Sequence, residues 1–229
     1  IAGQTSTIQL GTGVVVLPWH DPMRVAEQIT MLDNLSGGRL ILGVGRGLAR
    51  IEYEGFGVDM NTSRQKLVEM AECVLGGLED GYLEYEGEII NQPRRDIRPA
   101  PQHSFKGRTY AAAVSPESMP IMAKLGVGLL IIPQKPWDVV ENDFKIYTEV
   151  YEAENGMAPP PPLCGGFCFV DESADRAEEM AYRYIGGYYG TVLKHYEFAK
   201  AAHDGVKGYE FYTNITKYID RHGSGGAAE

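Results

Sequence analysis

Cysteine is scarce. The three in this 229-residue chain, at 73, 164 and 168, are too few and too oddly spaced for a disulfide framework, and no partner pair stands ready to complete a zinc site. They are expected as buried or half-buried thiols, Cys164 and Cys168 on one face of the strand-like run LCGGFCFV, because free Cys behaves as a small hydrophobe. Basic runs are missing too. Nothing longer than the pair Arg94 and Arg95 occurs and the formal net charge is −10, which argues against a nucleic-acid surface, since that needs a basic stripe. No apolar run reaches the length of a membrane span, and the opening IAGQTSTIQL has neither the basic nor the apolar region of a secretory leader. A soluble, cytoplasmic protein without a membrane or nucleic-acid partner is the expectation. Two glycine signatures are also lacking. The stretch GVGRG has no third glycine at the dinucleotide-binding offset and is not a Walker loop.

What is present is ordinary globular material. Hydrophobic residues make up 44% and charged residues 23%, so wholesale disorder is excluded and the length suits one large α/β domain, residues 1–229. The chain is organised around LILGVGRGLAR at residues 40–50 and NTSR at 61–64. A short apolar run with a glycine-rich end emptying onto an arginine reads as a buried strand that delivers backbone and one cation. Glycines at 43, 45 and 47 permit close approach, since no side chain stands in the way. Arg46 and Arg64 then converge on an anion, most simply a phosphate, whose oxygens match a guanidinium fork. A tight strand-to-helix turn with a solvated cation is the plainer alternative.

Along the chain the pattern repeats. Residues 8–18, IQLGTGVVVLP, are β-branched and bounded by turn residues, as in a strand buried on both faces. Residues 21–35 read as a helix with Asp21 as N-cap, Pro22 at its first position, and Val25, Ile29 and Leu32 on one face. After the strand at 40–47 comes a loop over 52–61, then a helix through Leu78 with Leu67, Met70, Ala71 and Val74 inward. Residues 82–90 alternate like a hairpin or edge piece, and 91–107 form a surface excursion. Strands follow at 109–114, 128–133 and 163–170, with helices from Ser115 to Leu125, from 137 to 155, and from 171 to 202. The last has Tyr182, Ile185, Tyr189 and Val192 on one side, and GSGGAAE is an unstructured end. The alanines of TYAAAV either lie flat against a ligand ring or fill a tight barrel interior. Five strands alternating with helices give a parallel sheet, either an incomplete (β/α) barrel or an open doubly wound sheet.

Taken in order, IQLGTGVVVLP, MLDNLSGGR, LILGVGRGL, FGVDMNTSR, YAAAVSPES and VDESADRAEEMAYRYIGGYYG resemble the bacterial luciferase-like flavin monooxygenases, the luciferase alpha-subunit type above all. The resemblance implies an α/β fold of the (β/α)8 TIM-barrel type, incomplete, with about strands 3 to 7 visible. Two strands, one carrying a histidine used in proton transfer, would precede Ile1, and an eighth would follow Glu229. It implies reduced FMN at the carboxyl ends of the strands, with the deazaflavin coenzyme F420 as the alternative within the superfamily and a non-catalytic flavin-binding remnant as the alternative outside catalysis. Arg46 and Arg64 match phosphate-gripping arginines, helped by Ser115 and Ser118 near a helix start where free amides favour an anion. Gly13 and Val14 match a pair joined by a cis peptide behind the flavin ring. Leu48 belongs to the same cofactor site. Gly45 replaces a reactive cysteine and so leaves a less crowded ring pocket. Val114 replaces a glutamate, so its contact to flavin comes from backbone alone. Trp19 and His20 fall at the rim. No catalytic residue and no metal ligand is assigned. Implied partners are O2, a small organic substrate such as an aldehyde or ketone, a separate flavin reductase, and a second subunit, identical or not, docking on the helix at 21–35 with its Met31 and Leu32. Light emission would require a shielded flavin.

Overall fold

The apolar run at residues 8–18 enters the sheet as two short pieces, β1 (Leu10–Gly11) and β2 (Val15–Val16), in a computed structural model that describes residues 1–132, 136–198 and 202–213. The physical reason for the break lies in the register. β1 pairs with β3 (Leu40–Gly45) as Leu10↔Leu40 and Gly11↔Ile41, whereas β2 pairs as Val15↔Val44 and Val16↔Gly45. The offset falls from 30 to 29, so residues 12–14 face only residues 42–43, a one-residue bulge. Thr12 fills the gap in the ladder: its hydroxyl accepts from the Gly43 amide and donates to the Gly43 carbonyl, each at 2.8 Å. The two pieces are half-buried or exposed, not buried on both faces.

Two compact units emerge, Ile1–Gly47 with Ser63–Gly165, and Leu48–Thr62 with Gly166–Glu229. The first holds the parallel sheet. Helix α1 (Pro22–Ser36) starts as its sequence dictates, with the Asp21 carboxylate accepting from the Arg24 amide at 3.0 Å, Pro22 in the first turn, and Gly37 ending it at φ 68°. β3 follows as read, then α3 (Ser63–Asp80), β6 (Thr109–Ala112), α4 (Ser118–Lys124), β7 (Gly128–Ile131), α5 (Trp137–Asn155) and β8 (Leu163–Cys164). All neighbouring pairs in the order β1/β2, β3, β6, β7, β8 are parallel. Each new strand joins the same side, with no reversal of the kind that makes a switch point in a doubly wound sheet, so the winding is that of an incomplete (β/α)8 barrel.

Alternation within the strands sorts their side chains onto two faces. Leu40, Leu42, Val44, Ala111, Ala113, Leu129 and Ile131 pack with Val25 and Ile29 of α1, Leu67, Met70, Ala71 and Val74 of α3, Met119 and Met122 of α4, and Tyr147 and Tyr151 of α5. That layer is the core, and the helices lie against it. The opposite face mixes Gly43, Gly45, Ala112 and Gly128 with the larger Ile41, Tyr110 and Leu130, and the Tyr110 ring stands where a side chain on Gly128 would be. Of the three alanines in TYAAAV, only Ala112 is exposed.

Several expectations need correction. The stretch at 52–61 is not a plain loop, because Arg50–Phe56 forms helix α2, closed by Gly57 at φ 67°. The excursion at 91–107 begins with a strand, β5 (Asn91–Asp96), antiparallel to β4 (Tyr82–Glu86). The Glu69 carboxylate holds that hairpin by accepting from the amides of Ile90 at 2.7 Å, Ile89 at 2.8 Å and Glu88 at 3.3 Å. Only two residues of the run at 163–170 pair, and Cys164 and Cys168 are exposed, while Cys73 is buried. Burial pushes the Cys73 thiol up to about 11. The helix expected from 115 starts at Ser118. The helix expected from 171 runs as α6 (Ala174–Ala181), a π-helical stretch Tyr182–Gly186, and α7 (Gly187–His195). Its supposed inner side is open at Tyr182, 68% exposed, and at Tyr189. Pro133, residues 199–201 and the GSGGAAE end lie outside the described residues. No described helix is long and apolar enough to cross a membrane.

At the amino-terminal ends of β3 and β6 an ion cluster gathers on the buried Asp33. Asp33, only 1% exposed, receives Arg108 at 2.8 and 3.4 Å, His103 Nδ1 at 3.0 Å and the Leu40 amide at 3.3 Å. Arg108 also donates to the carbonyls of Gly38, Leu40 and Ser104. Arg39, the arginine of LSGGR, donates to the carbonyls of Ala2, Thr5, Ile8 and Ser36, which clamps the first residues against the sheet. Burial pushes the Asp33 pKa up, but Arg108, His103 and the Leu40 amide outweigh it and hold the carboxyl below its ordinary value. A depressed carboxyl contributes stability that is present above its unfolded pKa, about 3.9, and is lost as pH falls through the folded value. Arg108→Met is expected to cost about 3–5 kcal/mol at neutral pH by stranding a buried charge, measured by denaturant unfolding. The gap from wild type should narrow in acid, below about pH 4.

Candidate functional site at the carboxyl ends of the strands

Barrel sheets present ligands at the carboxyl ends of their strands, because the connections there are free to vary while the core fixes the strand ends. In the first unit these ends are Val16, Gly45, Ala112, Ile131 and Cys164. Arg46 is the first residue beyond β3, Arg64 is the second residue of α3, and Val114 and Ser115 lie just past β6. Each expected site residue of this unit therefore falls at a strand end, in the bulge of the first strand, or at the start of a following helix.

The glycines are occupied by the protein itself. A Cβ on Gly43 would sit 1.9 Å from the Thr12 carbonyl oxygen, one on Gly45 would sit 2.7 Å from Val14 Cγ2 and 3.7 Å from Ala112 Cβ, and one on Gly47, at φ 84°, would meet Val16 and the Trp19 ring at 2.8 Å. The space gained by lacking a side chain at 45 goes to Val14. The peptide between Gly13 and Val14 is cis. Gly13 is exposed, with open space where a side chain would stand, Val14 is half-buried, and Ala112 is exposed beside Gly45. Together these leave small side chains at the ends of β3 and β6 and in the bulge before β2.

Polar groups follow these strand ends along the chain. Arg46 and Arg64 are both half-buried. Ser115 is buried and its hydroxyl lies 2.8 Å from that of the half-buried Ser118. The amides expected to be free at that helix start are in use: Ser118 donates to the Ser115 carbonyl at 2.9 Å and Met119 to that of Pro116 at 3.2 Å, so hydroxyls rather than amides are what this turn offers. Val114 is half-buried. Two residues beyond Arg64, burial pushes the pKa of the half-buried Lys66 ammonium down. Leu48 belongs to the second unit, where its carbonyl accepts from His203 Nε2 at 2.9 Å. Among the described residues no three His, Cys, Asp or Glu side chains gather as metal ligands would.

Two residues of consequence escaped the sequence. Thr12 left a trace, a threonine between glycines in an apolar run. His203 left none, because its partner is 155 residues away.

The sequence profile of a family described as "Luciferase-like monooxygenase" matches residues 1–227. The alkanal monooxygenase alpha chain of Photorhabdus luminescens is 27% identical over 220 residues, covering 92% of this chain and 59% of that protein. The oxygenase component of a flavin-dependent trigonelline monooxygenase from Acinetobacter baylyi is 28% identical over 198 residues, covering 82% of this chain and 55% of that protein. The chain thus spans between half and two thirds of the length of these relatives. Among solved structures, the monooxygenase RslO1 from Streptomyces bottropensis superposes with a TM-score of 0.78 at 22% identity, over 96% of this chain and 69% of that one, a likeness of fold.

The glycine at 45 is set by Val14. Gly45→Ala is expected to destabilise by about 1–3 kcal/mol through overpacking against a stiff β-branched side chain. The double variant Val14→Ala/Gly45→Ala should recover most of that loss in thermal or denaturant unfolding.

Proposed function

The chain belongs to the luciferase-like monooxygenase family, and from that premise we propose that, as a single partial barrel domain, it binds reduced FMN and uses O2 to oxidise a small organic substrate such as an aldehyde or ketone. The observation that carries this reading is the set of small residues Gly13, Val14 and Ala112 near the strand ends, followed along the chain by the half-buried cations Arg46 and Arg64. A planar ring system needs small residues beneath it, and a phosphate tail needs cations whose partial burial strengthens each hydrogen bond they donate.

These residues fit the cofactor. The small size of Gly45 and Ala112 suits a ring lying flat, and a larger side chain at 45 would collide with Val14. The guanidinium groups of Arg46 and Arg64 would grip the phosphate, with the Ser115–Ser118 hydroxyl pair as additional donors. Val114 would contribute backbone only. Reduced flavin, when bound, supplies the electrons that activate dioxygen for insertion of one oxygen atom into the substrate. The part of the protein is to orient the ring, hold the phosphate and keep water from the reacting face.

The proposal extends to partners. A separate flavin reductase would deliver the reduced cofactor in the cytoplasm. A second subunit would cover the outer face of α1, where Met31 is exposed; Leu32, expected beside it, packs against the core, and the exposed neighbour is Leu35 one turn on.

Arg46→Ala is expected to weaken FMN binding by about 2–5 kcal/mol, the range for truncating one partner of a desolvated charged pair, as read by fluorescence titration. Oxygen uptake with reduced FMN and an aldehyde or ketone tests the reaction. Flavin-dependent consumption with substrate oxidation supports a monooxygenase, and light emission can be recorded in the same cuvette. Hydride transfer without oxygen uptake would instead mark a coenzyme F420 enzyme, and binding with no turnover a remnant.

A further inference from the structure

Three side chains are missing along β3 and its continuation, and the preceding segment of the same unit fills each place in turn. The Thr12 carbonyl stands where a side chain at 43 would be, and Val14 where one at 45 would be. At 47 the occupant is an indole: a Cβ there would lie 2.8 Å from Trp19 Cζ2 and 3.3 Å from its Cε2, with Val16 Cγ1 also at 2.8 Å. Gly47 lies two residues beyond Gly45, which in extended chain is about 6–7 Å further toward the carboxyl ends of the strands. Trp19 is therefore the next occupant after Val14 in the direction in which a barrel presents its ligands.

What carries the indole is an anchored turn. Leu17–Trp19 forms a single turn of 3-10 helix, closed by the His20 amide on the Leu17 carbonyl at 3.0 Å, with Pro18 inside it. β2 ends immediately before this turn and the Asp21 cap of α1 follows it, so the ring is held from both sides. Core packing does not account for it. Leu17, 1% exposed, joins the core from this turn and Pro18 is buried, whereas Trp19 is only half-buried. The largest side chain of the turn is thus the one left partly open, beside a glycine whose φ of 84° suits no larger residue. A tryptophan in that position offers a broad apolar face with little side-chain freedom to lose.

We propose that Trp19 determines substrate specificity: its indole borders the bound flavin at the carboxyl end of β3 and shortens the space beside it, so that the site takes compact carbonyl compounds and rejects those with an extended alkyl chain. This rests on the reading of Gly13, Val14 and Ala112 as the residues beneath the flavin ring, and goes beyond it by naming the substrate class. The physical basis is an asymmetry of apolar sites. Each further methylene that such a site covers gains only modestly, but a chain that must displace a packed ring forces an off-rotamer side chain or a backbone shift. Trp19 takes no part in the chemistry itself and acts by excluding volume.

The test uses the full chain and two readouts. The chain has two tryptophans, Trp19 and Trp137, so protein labelled with 5-fluorotryptophan gives two fluorine resonances, and the same label in Trp137→Phe identifies that of Trp19. Saturating FMN is expected to move the Trp19 resonance through the ring current of the flavin. The second readout is the ratio of kcat/KM for octanal to that for butanal, which should rise roughly tenfold or more in Trp19→Ala and by less in Trp19→Phe. If the alanine variant does not unfold cooperatively on heating, Trp19→Leu takes its place, and the fluorine readout needs no substitution at 19. A Trp19 resonance unmoved by FMN that binds, or an unchanged aldehyde ratio in folded variants, would overturn this inference and leave the cofactor reading intact. Absence of FMN binding, or binding without oxidation of either aldehyde, would end the oxygenase reading and this inference with it.

Discussion

The close approach of residues 12–14 to β3 is the constraint on which the rest of the first unit depends. The Thr12 carbonyl stands where a side chain on residue 43 would be, and its hydroxyl replaces one step of the strand ladder from both sides of Gly43. That arrangement exists only because β3 has no side chain at 43 or 45. In return the first strand bends, Val14 lies over Gly45, and small residues stand at Gly13 and Ala112 near the carboxyl end of the sheet. The glycine run does not leave an empty slot for a ligand. It lets the neighbouring strand take that space itself.

The two ends of the same strands do different work. At the amino-terminal end, Arg108 and His103 converge on the buried Asp33, and Arg108 and Arg39 donate to backbone carbonyls. Such a cluster specifies geometry more than it adds stability, since burying charges costs nearly what pairing returns. At the carboxyl end the residues are smaller, more open and half-buried, with the cations Arg46 and Arg64 following one after the other along the chain. Division of stability from chemistry between the two ends is what a barrel built of β/α units affords.

Much of this was legible in the amino acids, and the exceptions have physical causes. α1, α3 and α5 could be read to within a residue or two because apolar residues at helical spacing coincide with Asp21 and Pro22 at one start and Gly37 and Gly156 at two ends. β3 was legible because a strand buried on both faces is a continuous apolar run. The break at Thr12–Val14 was hidden, since a bulge depends on the register with a strand 30 residues away. α2 was missed because Arg50–Phe56 buries only Tyr53, too little for a periodic stripe. β5, NQPRRD, is polar and carries a proline, so nothing in it signals a strand. An inward Cys164 and Cys168 presumes a strand that runs on, and pairing stops at Cys164. The expected site residues all came from local motifs, while His203 bonds to Leu48 across 155 positions and has no local signature.

The central claim is that the phosphate tail, rather than the ring alone, is what the half-buried arginines hold. Comparing the affinity of the protein for FMN with its affinity for riboflavin, which has the same ring and no phosphate, tests this most directly. Two charge-assisted contacts predict that FMN binds roughly 100-fold tighter or more. Equal affinity for the two would contradict the account.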